Sequence, residues 1–220
     1  MRWYLLVVLC VALLCLGGCN LFGPEDEDPD PYTGGTVSDV AFEIMGPASV
    51  KITWTENFAD EDGFYVDRKL WDGEWERKIL QCGPNETQVT DPSAVLGSVY
   101  YYKVYAFKGD RESEEEQVQY NFYLPWPQNV DYDFSWNQPG IIRFFWTNQA
   151  AWADSIVVAK RVSGGQWEAP YAVLAGNATE YTDPAYNVAV EATWGFTTYY
   201  QEHISSQTTI TMMPPKQERK

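Results

Sequence analysis

The sequence predicts an all-β chain built as two tandem two-layer sandwiches, and three observations carry that prediction. The first is composition: 16% of the 220 residues are aromatic, with ten Trp and fifteen Tyr, and such side chains fit half-buried pleated surfaces. The second is periodicity. Val50, Ile52 and Trp54 share one face of a run, as do Tyr100, Tyr102, Val104 and Ala106, and neither half of the chain shows a 3.6-residue apolar period. The third is an internal repeat at an offset of 92 residues, aligning "ITWTENFADEDGFYVDRKLWDGEWE" from Ile52 with "FFWTNQAAWADSIVVAKRVSGGQWE" from Phe144. Trp54 falls on Trp146, Thr55 on Thr147, Gly73 on Gly165, Trp75 on Trp167 and Glu76 on Glu168, and without a gap Thr90-Asp91-Pro92 falls on Thr182-Asp183-Pro184. Two tryptophan pairs and a closing Thr-Asp-Pro in one register mark two copies of one unit. About seven short strands in roughly 90 residues per copy make a Greek-key sandwich.

The elements follow in order. Trp3 to Leu16 is an uncharged run preceded by Arg2, which has the length of a secretory h-region and falls short of the roughly 20 apolar residues that span a bilayer. Leu16-Gly17-Gly18-Cys19 resembles the bacterial lipobox: an aliphatic residue, two small residues, then the Cys that becomes the new N-terminus. The resemblance implies a lipoprotein signal peptide over 1–18, acylation of Cys19, and attachment to the membrane through several acyl chains, each buried CH₂ contributing about 0.8 kcal/mol. It also implies the bacterial cell envelope, and Asn20, in place of the Asp that retains enteric lipoproteins at the inner membrane, points to the outer membrane. The alternative is an ordinary signal peptide in which Cys19 is incidental. Over 19–35, Glu25 to Asp30 is acidic and broken by Pro, and reads as a disordered, self-repelling tether. It also resembles the acidic export signals of some surface lipoproteins. Removal of 1–18 takes Cys10 and Cys15 and leaves Cys19 and Cys82, too few for a disulfide framework. Cys82 then reads as a small buried hydrophobe.

The first copy is expected over 36–124. Val50, Ile52 and Trp54 lie on its strand B, Phe64 and Val66 on strand C, and "WDGEW" turns into a strand carrying Trp75. The alternation makes Trp54, Trp75, Tyr100, Trp146 and Trp167 interior. A strand-B Trp, "GFYVDRK", the Thr-x-x-Thr-Asp-Pro approach and Tyr-x-x-x-Val-Tyr-Ala together resemble fibronectin type III domains, particularly bacterial ones with a "WTxN...DExGF" core. The resemblance covers 36–124 well and the second copy, 125–214, less well. It implies an immunoglobulin-like β-sandwich in which Tyr100 is the corner tyrosine, its hydroxyl bonded back to the preceding connection. In the second copy the ungapped register puts Ala192 at that place, with "ATWGFTTYY" as strand F and "ISSQTTITM" as strand G; Tyr186 matches only if the preceding loop is shortened. "LPWPQ", 124–128, has two Pro bracketing Trp126 and reads as a stiff connection. A disordered tail is expected over 215–220.

A formal charge of −16 argues against nucleic-acid partners and against adsorption to anionic lipid. The single His, His203, falls in the turn between strands F and G, and no spacing of Cys and His suits zinc. The sequence therefore offers no base and nucleophile pair, no cofactor site and no metal site. Asp60-Glu61-Asp62 and Glu112 to Glu116 read as solvated charge that discourages edge pairing, with weak Ca²⁺ binding as the alternative. Trp71, Tyr101, Tyr105, Phe107, Trp126 and Trp152 have no interior assignment. Either they form a platform for sugar rings or a protein partner, or they cover one another across strands and pack at the joint between copies. The expectation is a non-enzymatic, lipid-anchored envelope protein acting as a binding, adhesion or spacer module for a protein or glycan ligand. The alternative is a carbohydrate-binding accessory lipoprotein with Trp71, Tyr101 and Tyr105 as its platform.

Overall fold

The computed structural model describes residues 30–134 and 140–214. Cys19, the segment before it, most of the acidic tether and the 215–220 tail lie outside the described residues. Eight strands form the first copy: β1 (Val37–Gly46), β2 (Ser49–Glu56), β3 (Gly63–Leu70), β4 (Glu76–Cys82), β5 (Gln88–Asp91), β6 (Ser98–Lys108), β7 (Arg111–Glu112) and β8 (Glu116–Phe122). Eight more form the second: β9 (Gln128–Phe134), β10 (Ile142–Thr147), β11 (Ser155–Val162), β12 (Glu168–Ala175), β13 (Glu180–Asp183), β14 (Ala192–Tyr200), β15 (His203–Ile204) and β16 (Thr208–Met212).

Each copy is a sheet of three strands facing a sheet of five. The first has β1-β2-β5 against β4-β3-β6, with β7 and β8 both on β6; the second has β9-β10-β13 against β12-β11-β14, with β15 and β16 both on β14. The offset of 92 holds pair by pair. Leu70 faces Tyr100 as Val162 faces Ala192, and Tyr65 faces Gln81 as Val157 faces Val173. The first strand alone slips: Ile44 faces Val50 but Phe134 faces Ile142, two residues off the offset of 92.

The alternating residues fill two cores. Val50, Ile52, Phe64, Val66, Tyr102 and Val104 are fully buried in the first, and Ile142, Phe144, Ile156, Val158, Trp194 and Phe196 in the second. Each such side chain contributes about 1.5–3 kcal/mol by leaving water. Trp54 and Trp146 occupy matching places, 5% and 6% exposed, packed on Phe64 at 5.5 Å and Phe196 at 5.2 Å. The Tyr100 hydroxyl accepts a hydrogen bond from the Val95 amide at 2.9 Å. Ala192 has no such hydroxyl, and the buried Tyr186 instead packs edge-on against Trp194 and Phe134.

Between the layers of each copy sits a buried carboxylate, and this is what the repeated Thr-Asp-Pro supplies. Asp91 accepts from Arg68 Nη1 at 2.7 Å, Tyr102 Oη at 2.8 Å and the Ser93 amide at 2.9 Å. Asp183 accepts from Lys160 Nζ at 2.7 Å, Trp194 Nε1 at 2.8 Å and the Ala185 amide at 2.8 Å. Every one of these partners is 92 residues from its counterpart. Burial opposes the charge at both sites, but for Asp91 the Ser93 and Tyr102 hydrogen bonds with the Arg68 charge outweigh it, and for Asp183 the bonds from Lys160, Ala185, Trp194 and Tyr171 do. Both carboxyls are held below the usual carboxylate range.

Trp75 and Trp167 correct the sequence reading, because neither is interior. They precede β4 and β12, next to register shifts between Val66 and Arg68 and between Val158 and Lys160, and the shift breaks the alternation. Trp75 lies half-buried on the outer face, with Lys103 Nζ 4.3 Å and Lys69 Nζ 5.0 Å from its ring centre. Trp167 is 37% exposed beside Arg161 at 4.9 Å. The cations cover part of each ring in place of a core.

At the chain's entry the fold starts earlier than expected. Tyr32, expected in the tether, is buried in the first core; its ring stacks on Phe58 at 5.3 Å and its hydroxyl donates to Asp60 at 2.5 Å. The two glycines that follow permit this turn, since a Cβ at Gly34 would lie 2.4 Å from the Tyr32 hydroxyl and one at Gly35 2.8 Å from Phe58. At the other end the sandwiches share a joint. Ala150 of the second copy is 1% exposed within the first core, and Trp152, Ala153 and Tyr200 pack against that core. Thr208 donates to the Pro127 carbonyl at 2.7 Å, and His203 sits against Gly97, where a Cβ would lie 3.2 Å from the imidazole.

Candidate ligand surfaces

The six aromatics without an interior assignment do not form one platform. Tyr105 and Phe107 are buried although they point outward, which removes them from any ligand surface. The Tyr105 hydroxyl donates to Asp67 at 2.8 Å, and Arg77 pairs with the same carboxylate through Nε at 3.0 Å. Burial, with Asp67 bonded to the hydroxyl, pushes the Tyr105 phenol well up. Phe107 stacks on Tyr65 at 4.2 Å, and the Lys78 ammonium lies 4.4 Å from the centre of the Tyr65 ring. Long cationic side chains lie over rings that alternation alone assigns to solvent.

Trp152 belongs to the joint, edge-on to Tyr200 at 5.1 Å. Trp126 is 40% exposed and lines a groove of about 200 Å³ at the joint with Tyr123, Leu124, His203 and Ile204. Trp71 is the most open of the six at 66% exposed, and Tyr101 is half-buried near it. The Trp71 amide donates to Val99 at 2.9 Å, continuing the β3–β6 ladder one residue beyond the strand, so its side chain shares the outer face with Lys69.

Most of the acidic residues are exposed, as the sequence reading expects, with Glu61 the buried exception, but several of their carboxylates are also bonded within the fold. Asp60 pairs with Lys108 as well as Tyr32, Glu61 is buried and accepts from the Asn85 amide at 2.7 Å, and Asp62 accepts from the Gly109 amide at 2.8 Å. Glu112 holds Arg77 at 2.9 Å and Lys78 at 2.7 Å, and Glu115 pairs with Lys103. These carboxylates tie connections together. Among the described residues no group of three His, Cys, Asp or Glu side chains could hold a metal ion. Cys82 is buried and unpaired, and burial, with Glu86 nearby, pushes its thiol up to about 11.

The outer face of the first sandwich contains residues that the sequence reading passed over. Lys69 and Tyr101 are cross-strand neighbours, and Tyr101 faces Gln119 on β8. The Tyr101 hydroxyl donates to Gln119 Oε1 at 3.1 Å, and Gln119 Nε2 donates to Asn121 Oδ1 at 3.2 Å. The alternation in "QVQYN" carried the signal: Val118 and Tyr120 turn inward while Gln117, Gln119 and Asn121 are exposed.

The strand order of each copy, repeated in tandem, is that of fibronectin type III-like sandwiches, and the chain is all-β among the described residues. No family model matches the chain, and no curated protein matches it. Among solved structures it is similar to a segment of two fibronectin type III domains from chicken tenascin: 13% identity, a TM-score of 0.41, and coverage of 80% of this chain and 98% of that one. It is similar also to the FN1–FN3 domains of chicken CNTN1, at 12% identity and a TM-score of 0.36, over 80% of this chain and 66% of that one.

Proposed function

We propose that the chain is a lipid-anchored protein of the bacterial cell envelope whose two sandwiches act together as a non-enzymatic binding and spacing module. The observation that carries the module is the joint. Ala150 of one sandwich is built into the core of the other, and the two Pro of the connection, both buried, leave it little freedom. A pair joined in this way presents its surfaces in a fixed relation, which suits display at a distance from an anchor.

The anchor rests on the resemblance of Leu16-Gly17-Gly18-Cys19 to a lipobox and on the acidic, Pro-broken run after it. The non-enzymatic reading is supported by the use made of the titratable groups: the single His packs against Gly97 at the joint, and Asp60, Glu61 and Asp62 are each bonded within the fold. Fold likeness by itself assigns no ligand. The test is fractionation of cells producing the parent chain or Cys19→Ala. The parent partitions with membranes and takes up labelled fatty acid, and Cys19→Ala does neither. Retention of both properties by Cys19→Ala refutes the anchor.

A further inference from the structure

We infer that the outer face of the first sandwich, at the end of β3, β6 and β8 nearest the joint, is a binding site for a glycan chain; this rests on the binding-module reading and names its ligand class. Three rows cross the three strands. Lys69, Tyr101 and Gln119 are successive cross-strand neighbours. Asp67, Lys103 and Gln117 form the row on one side. Trp71, Val99 and Asn121 form the row on the other, with Trp71 joined to Val99 by the continued ladder. Strand spacing and rise make this field about 10 Å across and about 13 Å along the strands, enough for a short run of sugar rings.

The chemistry of the field matches a polyhydroxylated ring better than other partners. Trp71 supplies an open aromatic face for the C–H side of a sugar. Gln117, Gln119 and Asn121 supply donors and acceptors together, as hydroxyls need. The bonds from Tyr101 to Gln119 and from Gln119 to Asn121 fix how those amides are turned. Lys69 Nζ faces the rings of Trp75 at 5.0 Å and Tyr101 at 5.2 Å, and among the described residues no carboxylate pairs with it. Its ammonium is therefore available to a sugar hydroxyl or carboxylate. A protein interface would want its centre apolar and poor in charge, whereas here Tyr101 at the centre stands between the Lys69 ammonium and the Gln119 amide, with Lys103 in the next row. A nucleic acid would meet a chain of charge −16.

The second sandwich is an internal comparison. It keeps the buried Asp, the cation and the strand register, yet at the same outer places it carries Ala159 and Arg161 on β11, Thr193 and Gly195 on β14, and Thr209 and Thr211 on β16. Ser163 stands where Trp71 would be. None of these places carries an amide or an indole of its own; Trp167, 37% exposed, lies under Arg161 and the Gln207 amide lies over Gly195, so the row of three amides beside an open Trp belongs to the first copy alone.

The test uses the full chain with hexaoses of glucose, mannose, xylose and galacturonate, read by tryptophan fluorescence and calorimetry. At least one hexaose binds saturably. Trp71→Ala, with an unchanged thermal midpoint, weakens that binding roughly tenfold, the loss of about one ring–ligand contact. Gln119→Ala also weakens it, and Trp126→Ala at the joint leaves it unchanged. Binding of none of the four hexaoses overturns the site, as does unaltered affinity in both Trp71→Ala and Gln119→Ala. A lipidated chain that binds no hexaose loses only this site. A chain that binds a hexaose but carries no lipid loses only the anchor.

Discussion

Asp183→Asn is expected to destabilise the second sandwich substantially more than Asp91→Asn destabilises the first, although the two carboxylates occupy equivalent places. Both are essentially unexposed, and each accepts from a cation, an aromatic N–H or O–H and a backbone amide. The difference lies in what the cation retains. Arg68 also pairs with Glu76 at 2.7 Å, so loss of the Asp91 charge leaves it one carboxylate. Glu168 stands opposite Lys160 in the matching register, but among the described residues Asp183 is the only carboxylate paired with Lys160. The remaining acceptors of Lys160 are the Tyr171 hydroxyl and the Ala185 carbonyl, each at 3.2 Å and neutral. Stranding a buried cation costs about 3–5 kcal/mol. Losing a charged hydrogen bond where a second partner remains costs roughly 1.5–3 kcal/mol. For a domain of this size about 1 kcal/mol moves the midpoint by roughly 4–8 °C, so Asp183→Asn lowers the second sandwich's midpoint by about 12 °C or more. Thermal unfolding of the full chain, followed by near-UV circular dichroism, reads the effect. Equal losses in the two variants, or a larger one in Asp91→Asn, refute the argument.

The buried carboxylates and the entry turn each make a further measurable difference. The carboxyls of Asp91 and Asp183 titrate below their unfolded value of about 3.9, so their stabilising contribution is fully present above about pH 5 and is lost as the pH falls through the folded-state values. Urea unfolding between pH 6 and pH 2 should show stability declining on the acid side, with a shallower decline in Asp183→Asn; equal slopes contradict this. Gly34→Ala drives a Cβ into the Tyr32 ring and releases it from Phe58 and Asp60, at a cost of about 1–3 kcal/mol. Burial and Asp60 hold the Tyr32 phenol up at about 12, so an ultraviolet titration should find one tyrosine moved back towards 10, and an unchanged titration contradicts the reading.

The architecture was legible because the offset of 92 carries through to the paired strands, from Leu70 and Tyr100 to Val162 and Ala192. A repeat that preserves register preserves the inward set, so Val50, Ile52 and Phe64 read correctly along with their counterparts. Period-two reasoning went astray where the pleat is interrupted or where neighbours cover an outward ring. Trp75 and Trp167 stand beside register shifts at which β4 and β12 each carry two residues more than the strand they pair with, so the regular pleat does not run through to them. Tyr105 and Phe107 point outward and are still buried, because Arg77, Asp67 and Tyr65 close over them. Alternation reports direction, and burial depends on how far the neighbouring side chains reach. Tyr32 was hidden for another reason: its contacts to Phe58 and Asp60 are remote in sequence, and the acidic run before it makes the segment look unfolded. The amides of β8 were visible in "QVQYN" but become a candidate site only when β6 brings Tyr101 and Lys69 beside them.

The anchored module is tested most directly by intact mass analysis of the N-terminal peptide of the protein isolated from membranes. A peptide that begins at Cys19 and carries the added mass of a diacylglyceryl group is the predicted result. A peptide that retains Gly18, or one that begins at an unmodified Cys19, contradicts it.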